Sequence, residues 1–363
     1  MPLKVAIACG GTGGHLFPGL AVGETLLARG HEVLIFTSEK QIDTVAMEGR
    51  DEFRIEKLRS IGMPSPFSPA IFAFASRCYR SYRQCKTIFK EFQPDAVLGM
   101  GGFTSTAPIV AGKRMGAKTF VHDSNAIPGK ANKLTARFCD AVLLGFEDCA
   151  RHFPNRTTRV TGTPIRNSLL EDVDLGSVRD KLRLRKEATT VLIMGGSQGA
   201  HGINASVIRA LPALKEYDVQ FLHLTGMKDD QIMREAYEKY GITARVETFY
   251  HAMEELYALA DVVIARSGAA SSTELAHFGL PAILIPYPYA AEDHQTLNAQ
   301  IFVRGGAAVM VQESTLSGDK LASHLCQLLD QPEQLKRMSE NMRRLSSDRA
   351  AENVVKTVEE YCQ

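Results

Sequence analysis

Three short stretches gather residue types that do chemistry together. The first is Gly10-Gly11-Thr12-Gly13-Gly14-His15, a glycine loop closed by an imidazole. Backbone N–H groups in such a loop can face a phosphate or a reacting sugar, and an imidazole at its mouth can act as a base near neutral pH. A turn that serves only close strand–helix packing is the plainer alternative; His15 weighs against it. The second stretch, Gly195-Gly196-Ser197-Gln198-Gly199, contains G-x-S-x-G, the pattern of a hydrolase nucleophile elbow. No triad acid accompanies it, and the later His251 and His294 make no compelling base, so phosphate contact by the Ser197 hydroxyl is the better reading. The third runs over residues 261–299. There an apolar β-branched run breaks at Ser267-Gly268, and small residues lead into a helix carrying Glu274. Small residues before a helix let an anion approach its N–H groups, and an ionised carboxylate one turn further in can accept from both hydroxyls of a ribose. This loop suits a nucleotide.

Several other chemistries are excluded. Reading G-x-G from Gly11 and Gly13 puts Leu16 where the dinucleotide fingerprint needs its third glycine, and no acidic residue ends the second strand. No Lys-Ser or Lys-Thr follows the glycines, so a P-loop is absent. Asp172 and Asp174 make a D-x-D match, but in a charged stretch that reads as a solvated linker. Asp229-Asp230 reads the same way, so neither a metal nor another cofactor is expected. A formal net charge of +1 gives no field for nucleic acid. The seven cysteines include no C-x-x-C pair, which argues against a disulfide framework or zinc site and for a reducing cytoplasm. The start, MPLKVAIACGG, reads as a strand and not a signal peptide, and no apolar run is long enough to span a bilayer.

The elements that must position these groups alternate strand and helix, which predicts α/β architecture with parallel sheets in two domains. A strand at 3–9 feeds the first glycine loop and a helix at 17–29 follows. Strands at 96–100 and 119–122 feed GGFTSTAP and HDSNAIPG. Residues 167–188 are charged and read as the domain junction, after which strand, glycine loop and helix recur at 190–214. From about residue 334 the chain reads as one long amphipathic helical stretch. A basic helix is expected at 77–92, preceded by a break at 60–75. This segment combines Phe67, Ile71, Phe72, Phe74 and Tyr79 with Arg77, Arg80, Arg83, Lys86 and Lys90. Aromatics beside a basic face suit an anionic membrane surface. A core-facing helix with a solvated basic side fits the spacing equally well.

GGTGGH, GMGGF, GGSQGA, and RSGA…E followed by HQTLNA occur in this order, and together the chain resembles the MurG family from end to end. That resemblance implies the GT-B fold, two Rossmann-like domains with parallel sheets facing across a cleft. It divides the chain at 1–165 and 166–341, with a C-terminal helix at about 342–363 returning to the first domain. It implies inverting transfer of GlcNAc from UDP-GlcNAc to the 4-hydroxyl of MurNAc in undecaprenyl-pyrophosphoryl-MurNAc-pentapeptide, lipid I becoming lipid II, in peptidoglycan synthesis. The implied setting is peripheral, on the cytoplasmic face of the inner membrane. Its partners there are the donor, the lipid acceptor, the anionic membrane surface and other cell-wall synthesis proteins.

Position by position, Glu274 matches the family's ribose-binding glutamate, Ser197 a phosphate-contacting serine, and Ala270 with Ser271 the loop beside the diphosphate. Ala269, Ser272 and Thr273 share that loop and helix start. Tyr250 stands where a backbone meets the uracil, Gln295 and Asn125 where side chains read the GlcNAc hydroxyls, and Arg166 where a donor-site arginine lies. Thr12, Gly13 and Gly14 line the cleft, and His15 matches the candidate base. The aromatic–basic segment falls on the family's membrane patch, with Phe67, Ile71, Phe72, Phe74, Arg77, Arg80 and Arg83. Two departures concern the acceptor side: Asp123 stands where the family often has glutamate, and Phe103 where tyrosine is common. A UDP-GlcNAc 2-epimerase, a GT-B transferase for another lipid acceptor, and a non-catalytic nucleotide-sugar binder or scaffold are the rival readings.

Overall fold

Val5, Ala6, Ile7 and Ala8 are all buried, and they divide between two cores: Val5 and Ile7 join one hydrophobic cluster, Ala6 and Ala8 another. A strand that is apolar on both faces must be covered on both, the condition of a parallel sheet flanked by helices. The computed structural model describes residues 1–39, 47, 50–59, 68–196 and 198–363. It separates into two units, residues 1–166 with 347–363, and residues 167–346.

The first unit contains β1 (Lys4–Ala8), α1 (Gly13–Ala28), β2 (Glu32–Ser38) and β3 (Arg54–Leu58), followed by α2 (Ala70–Phe92) and β4 (Ala96–Gly99). It continues with α3 (Thr106–Arg114), β5 (Lys118–Asp123), α4 (Lys130–Thr135), β6 (Ala141–Leu144) and β7 (Thr158–Val160). The strands pair in parallel in the order β3-β2-β1-β4-β5-β6-β7. The second unit opens with α5 (Leu175–Leu182), β8 (Thr189–Met194), α6 (His201–Leu214), β9 (Val219–Leu224) and α7 (Asp230–Tyr240). Next come β10 (Ala244–Glu247), α8 (Met253–Leu259), β11 (Val262–Ala265), α9 (Ala269–Phe278) and β12 (Ala282–Leu284). The last elements are α10 (His294–Arg304), β13 (Ala308–Met310), α11 (Gly318–Leu329), α12 (Pro332–Arg344) and α13 (Ala350–Cys362), of which α13 belongs to the first unit. The second sheet is also parallel, in the order β10-β9-β8-β11-β12-β13. In each sheet the strand order reverses once, between β1 and β4 and between β8 and β11. Open α/β sheets bind ligands beyond the carboxyl ends of their strands at such a reversal.

The structure departs from the sequence reading at five places. Helix α1 starts at Gly13, not at residue 17, and so takes His15 into its first turn; the low helix propensity of glycine hides that turn in the sequence. Helix α2 starts at Ala70, so Ile71, Phe72 and Phe74 share one helix with the arginines. Residues 167–188 are no bare linker: α5 lies there, with Val178 and Leu182 buried and Asp174 Oδ1 accepting from the Gly176 and Ser177 N–H groups. Asp174 is thus an N-cap, which satisfies otherwise unpaired helix donors. Asp229 is buried and not solvated; it accepts from Asn204 Nδ2 at 2.8 Å and pairs with His201 Nδ1 at 3.0 Å. The stretch after residue 334 is two helices, because Ser346, Ser347 and Asp348 favour local turns over helix interior.

Helix α13 is seated on the first unit by Val354, Val355 and Val358, which join the Val5–Ile7 core. Asn353 Nδ2 donates to the Thr161 carbonyl, and Glu359 meets Arg29 at 2.9 Å and His31 at 3.0 Å. Gly162 lies under the start of this helix with φ +79°, and a Cβ there would stand 2.3 Å from the Ser347 Cβ. Gly162→Ala should therefore destabilise the protein by about 1–3 kcal/mol, measured as a lower urea midpoint; an unchanged midpoint would refute the tight seating of α13.

Candidate active site

Two glycine loops leave the adjacent carboxyl ends of β1 and β4. Thr12 is extended (φ −152°, ψ 154°) and ends the first loop as the N-cap of α1. Its carbonyl accepts from the His15 and Leu16 N–H groups, both at 3.0 Å. Its hydroxyl makes no cap bond and lies 3.2 Å from His15 Nδ1. The imidazole packs on the second loop. A Cβ at Gly101 would stand 2.8 Å from His15 Nε2, and one at Gly102 would stand 3.5 Å from its Cε1. With φ at +120° and +72°, both positions favour glycine for conformation, and Gly101 needs it for space as well. GGTGGH and GMGGF thus form one site. When Nδ1–H donates to Thr12, Nε2 carries the lone pair that can take a proton.

The β5 end lies next in the sheet. His122 is fully buried and its Nε2 donates to the Gly162 carbonyl at 2.8 Å. Burial pulls its pKa down to about 4, the Gly162 bond opposes this, and the nearby His15 charge adds to the fall. Asp123 Oδ1 accepts from the Asn125 N–H, while Oδ2 accepts from Gly129 N–H and Asn132 Nδ2. Burial pushes this carboxyl up and those donors pull it back. The shorter acid is therefore the internal lock of the loop that carries Asn125. Arg166, grouped by sequence with the second domain, belongs to the first unit and stacks on Phe17 at 4.8 Å. A guanidinium is attracted to an aromatic face.

At the β8/β11 reversal Gln198 and Gly199 pack on Thr225 and Gly226 in the loop after β9. A Cβ at Gly199 (φ +75°) would stand 2.0 Å from the Thr225 carbonyl oxygen. Ser197 lies outside the described residues. Helix α9 starts after Gly268 with no side-chain cap and no acidic residue in its first turn. Its positive end is therefore not neutralised by its own first turn. Ala269, Ser272 and Thr273 are buried, because they face the packed side of the helix; Ala270 and Ser271 are the partly exposed members of the run.

Glu274 is held by a residue the sequence reading missed: the buried Tyr257 donates its hydroxyl to Glu274 Oε2 at 2.7 Å. Helix α8 also carries Glu255, which accepts from the Tyr250 hydroxyl and pairs with Lys181 at 2.8 Å. Burial first, then the Glu255 bond, pushes the Tyr250 phenol up. Although burial raises the Glu255 carboxyl, Lys181 and Tyr250 hold it below its ordinary range. One short helix thus supports both Tyr250 and Glu274. Its signals were Glu254 and Glu255 at a helix start and the buried Leu256 and Leu259 spacing.

Gln295 stands in the first turn of α10. Its Oε1 accepts from the Tyr287 N–H at 2.9 Å, which leaves the amide Nε2 as the donor to offer. Its carbonyl accepts from the buried Ser267 hydroxyl at 2.8 Å, and Asn298 Nδ2 donates to the Ser267 carbonyl. The loop after β11 is tied in this way to the loop before α10. Arg266, also missed from sequence, donates to the Ile285 and Pro286 carbonyls and pairs with Glu313 at 2.7 Å.

Along α2 the C-terminal half supplies core through Cys85, Ile88, Phe89 and Phe92. The N-terminal half is different. Phe72 is 80% exposed, Ile71 and Phe74 are half-buried, and Arg77, Arg80 and Arg83 are exposed. Phe67 lies outside the described residues. Among the described residues, no helix is long and apolar enough to cross a membrane.

The pattern of the glycosyltransferase family 28 N-terminal domain matches residues 5–144, and that of the glycosyltransferase family 28 C-terminal domain matches residues 190–354. The fold is accordingly GT-B, and the class is a family 28 glycosyltransferase. Among curated relatives, the UDP-N-acetylglucosamine–N-acetylmuramyl-(pentapeptide) pyrophosphoryl-undecaprenol N-acetylglucosamine transferase of Geotalea uraniireducens is 39% identical over 97% of both chains. The enzyme of the same name from Geobacter sulfurreducens is 38% identical over 97% of both chains. A crystal structure of Acinetobacter baumannii MurG superposes with a TM-score of 0.78 at 28% identity, covering 99% of this chain and 100% of that one. The chain belongs to the MurG family of N-acetylglucosamine transferases. The UDP-GlcNAc 2-epimerase of Neisseria meningitidis shares the fold (TM-score 0.70, 13% identity, 99% of this chain and 100% of that one).

The buried histidines make stability depend on pH. His122, and His223 whose pKa burial lowers to about 3, are neutral in the folded protein and ordinary near 6.5 when unfolded. The unfolded chain takes up more protons between these values. Stability should be full above pH 6.5 and fall as pH drops toward 4, seen as a falling melting temperature. His223→Gln should flatten that fall relative to its own value at pH 7; an unchanged slope would exclude His223 as a source.

Proposed function

We propose that this protein transfers GlcNAc from UDP-GlcNAc to the 4-hydroxyl of MurNAc in undecaprenyl-pyrophosphoryl-MurNAc-pentapeptide, with inversion, as a step of peptidoglycan synthesis. The observation that carries the chemistry is His15, held by Thr12 in the first turn of α1 and packed on Gly101 and Gly102 at the strand reversal. In this reading Nε2 takes the proton of the acceptor hydroxyl as its oxygen attacks the anomeric carbon, and UDP departs from the opposite face. An inverting displacement needs that line of attack, a base at the oxygen and positive potential at the leaving diphosphate. The uncapped start of α9, Ser197 and Arg166 supply the potential. Glu274, steadied by Tyr257, accepts from the ribose hydroxyls; the main chain at Tyr250 meets the uracil; Asn125 and the Gln295 amide read the sugar hydroxyls. Thr12, Gly13 and Gly14 line the acceptor side.

The exposed start of α2 supports a peripheral seat on an anionic cytoplasmic membrane face, where Phe72 and the arginines meet headgroups. Other cell-wall synthesis proteins are further partners there.

Transfer of labelled GlcNAc to a short-chain lipid I analogue tests the reaction. Conversion of UDP-GlcNAc without acceptor would favour an epimerase, and donor binding without transfer another acceptor. His15→Ala should lower turnover at least a hundredfold and leave donor affinity nearly unchanged; undiminished turnover removes His15 from catalysis. Glu274→Ala should cost about 1–3 kcal/mol of donor binding, and Tyr257→Phe less, measured calorimetrically; wild-type affinity in Glu274→Ala would refute the ribose contact.

A further inference from the structure

We infer that His223, a buried histidine with no part in the chemistry above, is a positioning residue for donor binding: through Asn204 and the Thr225–Gly226 turn it fixes the loop that receives the donor diphosphate. This role rests on the donor site proposed above. Strand β9 carries His223 into the interior of the second unit, where it is fully buried. Its Nε2 lies 3.0 Å from Asn204 Oδ1, and its Nδ1 lies 2.9 Å from the Tyr237 hydroxyl. From α6, Asn204 Nδ2 donates to the Thr225 carbonyl at 3.0 Å and to Asp229 Oδ2 at 2.8 Å. Although burial raises the Asp229 carboxyl, Asn204 and His201 hold it below its ordinary range. A carbonyl and an ionised carboxylate only accept, and that sets every direction in the chain of bonds. The Asn204 amide must turn its nitrogen to them and its oxygen to His223, so Nε2 carries the imidazole proton. Burial keeps the ring neutral, with its pKa lowered to about 3, and Nδ1 therefore accepts from Tyr237. Burial also pushes the Tyr237 phenol up, which keeps it a donor.

Thr225 is where this chain of bonds reaches the ligand loop. A Cβ at Gly199 would stand 2.0 Å from the Thr225 carbonyl oxygen, and one at Gly226 (φ +74°) would stand 2.5 Å from the Gln198 carbonyl oxygen. The two turns thus touch main chain to main chain, and Gln198 and Gly199 directly follow Ser197 in sequence. The Thr225 N–H also donates to the Glu247 carbonyl at 2.9 Å, at the end of the strand that leads to Tyr250. With no donor at its Oδ1, the Asn204 amide is free to turn over and release the Thr225 carbonyl. Any shift of Thr225 then passes straight to Gln198 and Gly199, because glycine alone leaves no side chain between them.

Three variants separate positioning from plain support of the interior. His223→Leu removes both ring nitrogens, His223→Gln keeps an N–H donor for Asn204 Oδ1, and Tyr237→Phe removes only the outer donor. Each is compared with wild type in transfer kinetics, in calorimetric titration with UDP, and in competition by uridine. His223→Leu should raise KM for UDP-GlcNAc and Kd for UDP about tenfold. Its kcat, its KM for the acceptor and its affinity for uridine should stay near wild type. His223→Gln should recover most of the lost affinity, and Tyr237→Phe should weaken UDP about threefold. Wild-type UDP affinity in a folded His223→Leu overturns the role, as does a glutamine variant no better than the leucine one. An equal loss for UDP and uridine also overturns it, since that marks a general loosening. Should His223→Leu fail to fold, unchanged UDP affinity in Tyr237→Phe overturns the role instead. A wild type that binds no UDP removes the donor site and this role with it. A wild type that binds UDP without transferring sugar refutes the proposed reaction alone, and the UDP titrations still judge His223.

Discussion

Neighbouring parallel strands whose crossover helices leave in opposite directions cannot have the space beyond their carboxyl ends covered by either helix. That constraint, met at β1/β4 and again at β8/β11, organises this protein. It places GGTGGH beside GMGGF in one unit, and the Gly195–Ala200 loop beside the start of α9 in the other. The next strand along each sheet adds to these openings, with the Asn125 loop at β5 and the α10 start beyond β12.

At the first opening the reactive group is placed by what is missing. The imidazole can approach residues 101–102 this closely because Gly101 carries no Cβ and both residues hold a positive φ. Around it His122 and Asp123 are buried and hydrogen-bonded, His122 to the Gly162 carbonyl and Asp123 to Asn125, Gly129 and Asn132. Such groups are costly when unpaired, so these bonds hold the loop in one arrangement. The aspartate in place of the family's frequent glutamate is thereby a structural lock for the loop.

The second opening is held by a different device, short helices that brace one another. Tyr257 and Glu255 reach from α8 to Glu274 and Tyr250, and Ser267 joins the β11 loop to α10 through Gln295 and Asn298. Glu292 and Asp293, both left-handed at φ 57° and 52°, precede α10. Non-glycine residues in that region carry strain that surrounding bonds must offset, here including Thr296 Oγ1 to Asp293 Oδ1 at 2.7 Å. The result is a carboxylate, an amide and an uncapped helix start held on one sheet edge.

The amino-acid sequence alone determined the α/β class, the buried strands and the glycine loops, since these depend on local apolar runs and on residues that break them. It determined the family as well, because several short motifs recur in order over the whole length. It could not show that Gly101 lies under His15, that Arg166 stacks on Phe17, or that Asp229 is buried, for these contacts join residues far apart in the chain. Helix α8 escaped notice because seven residues carry too little periodicity to stand out. The double character of α2 was equally hidden: its spacing fits a core and a surface, and only packing decides that Phe89 is buried while Phe72 is exposed. Local pattern selects the elements; which side chains meet depends on the strand order, and that is a property of the folded chain.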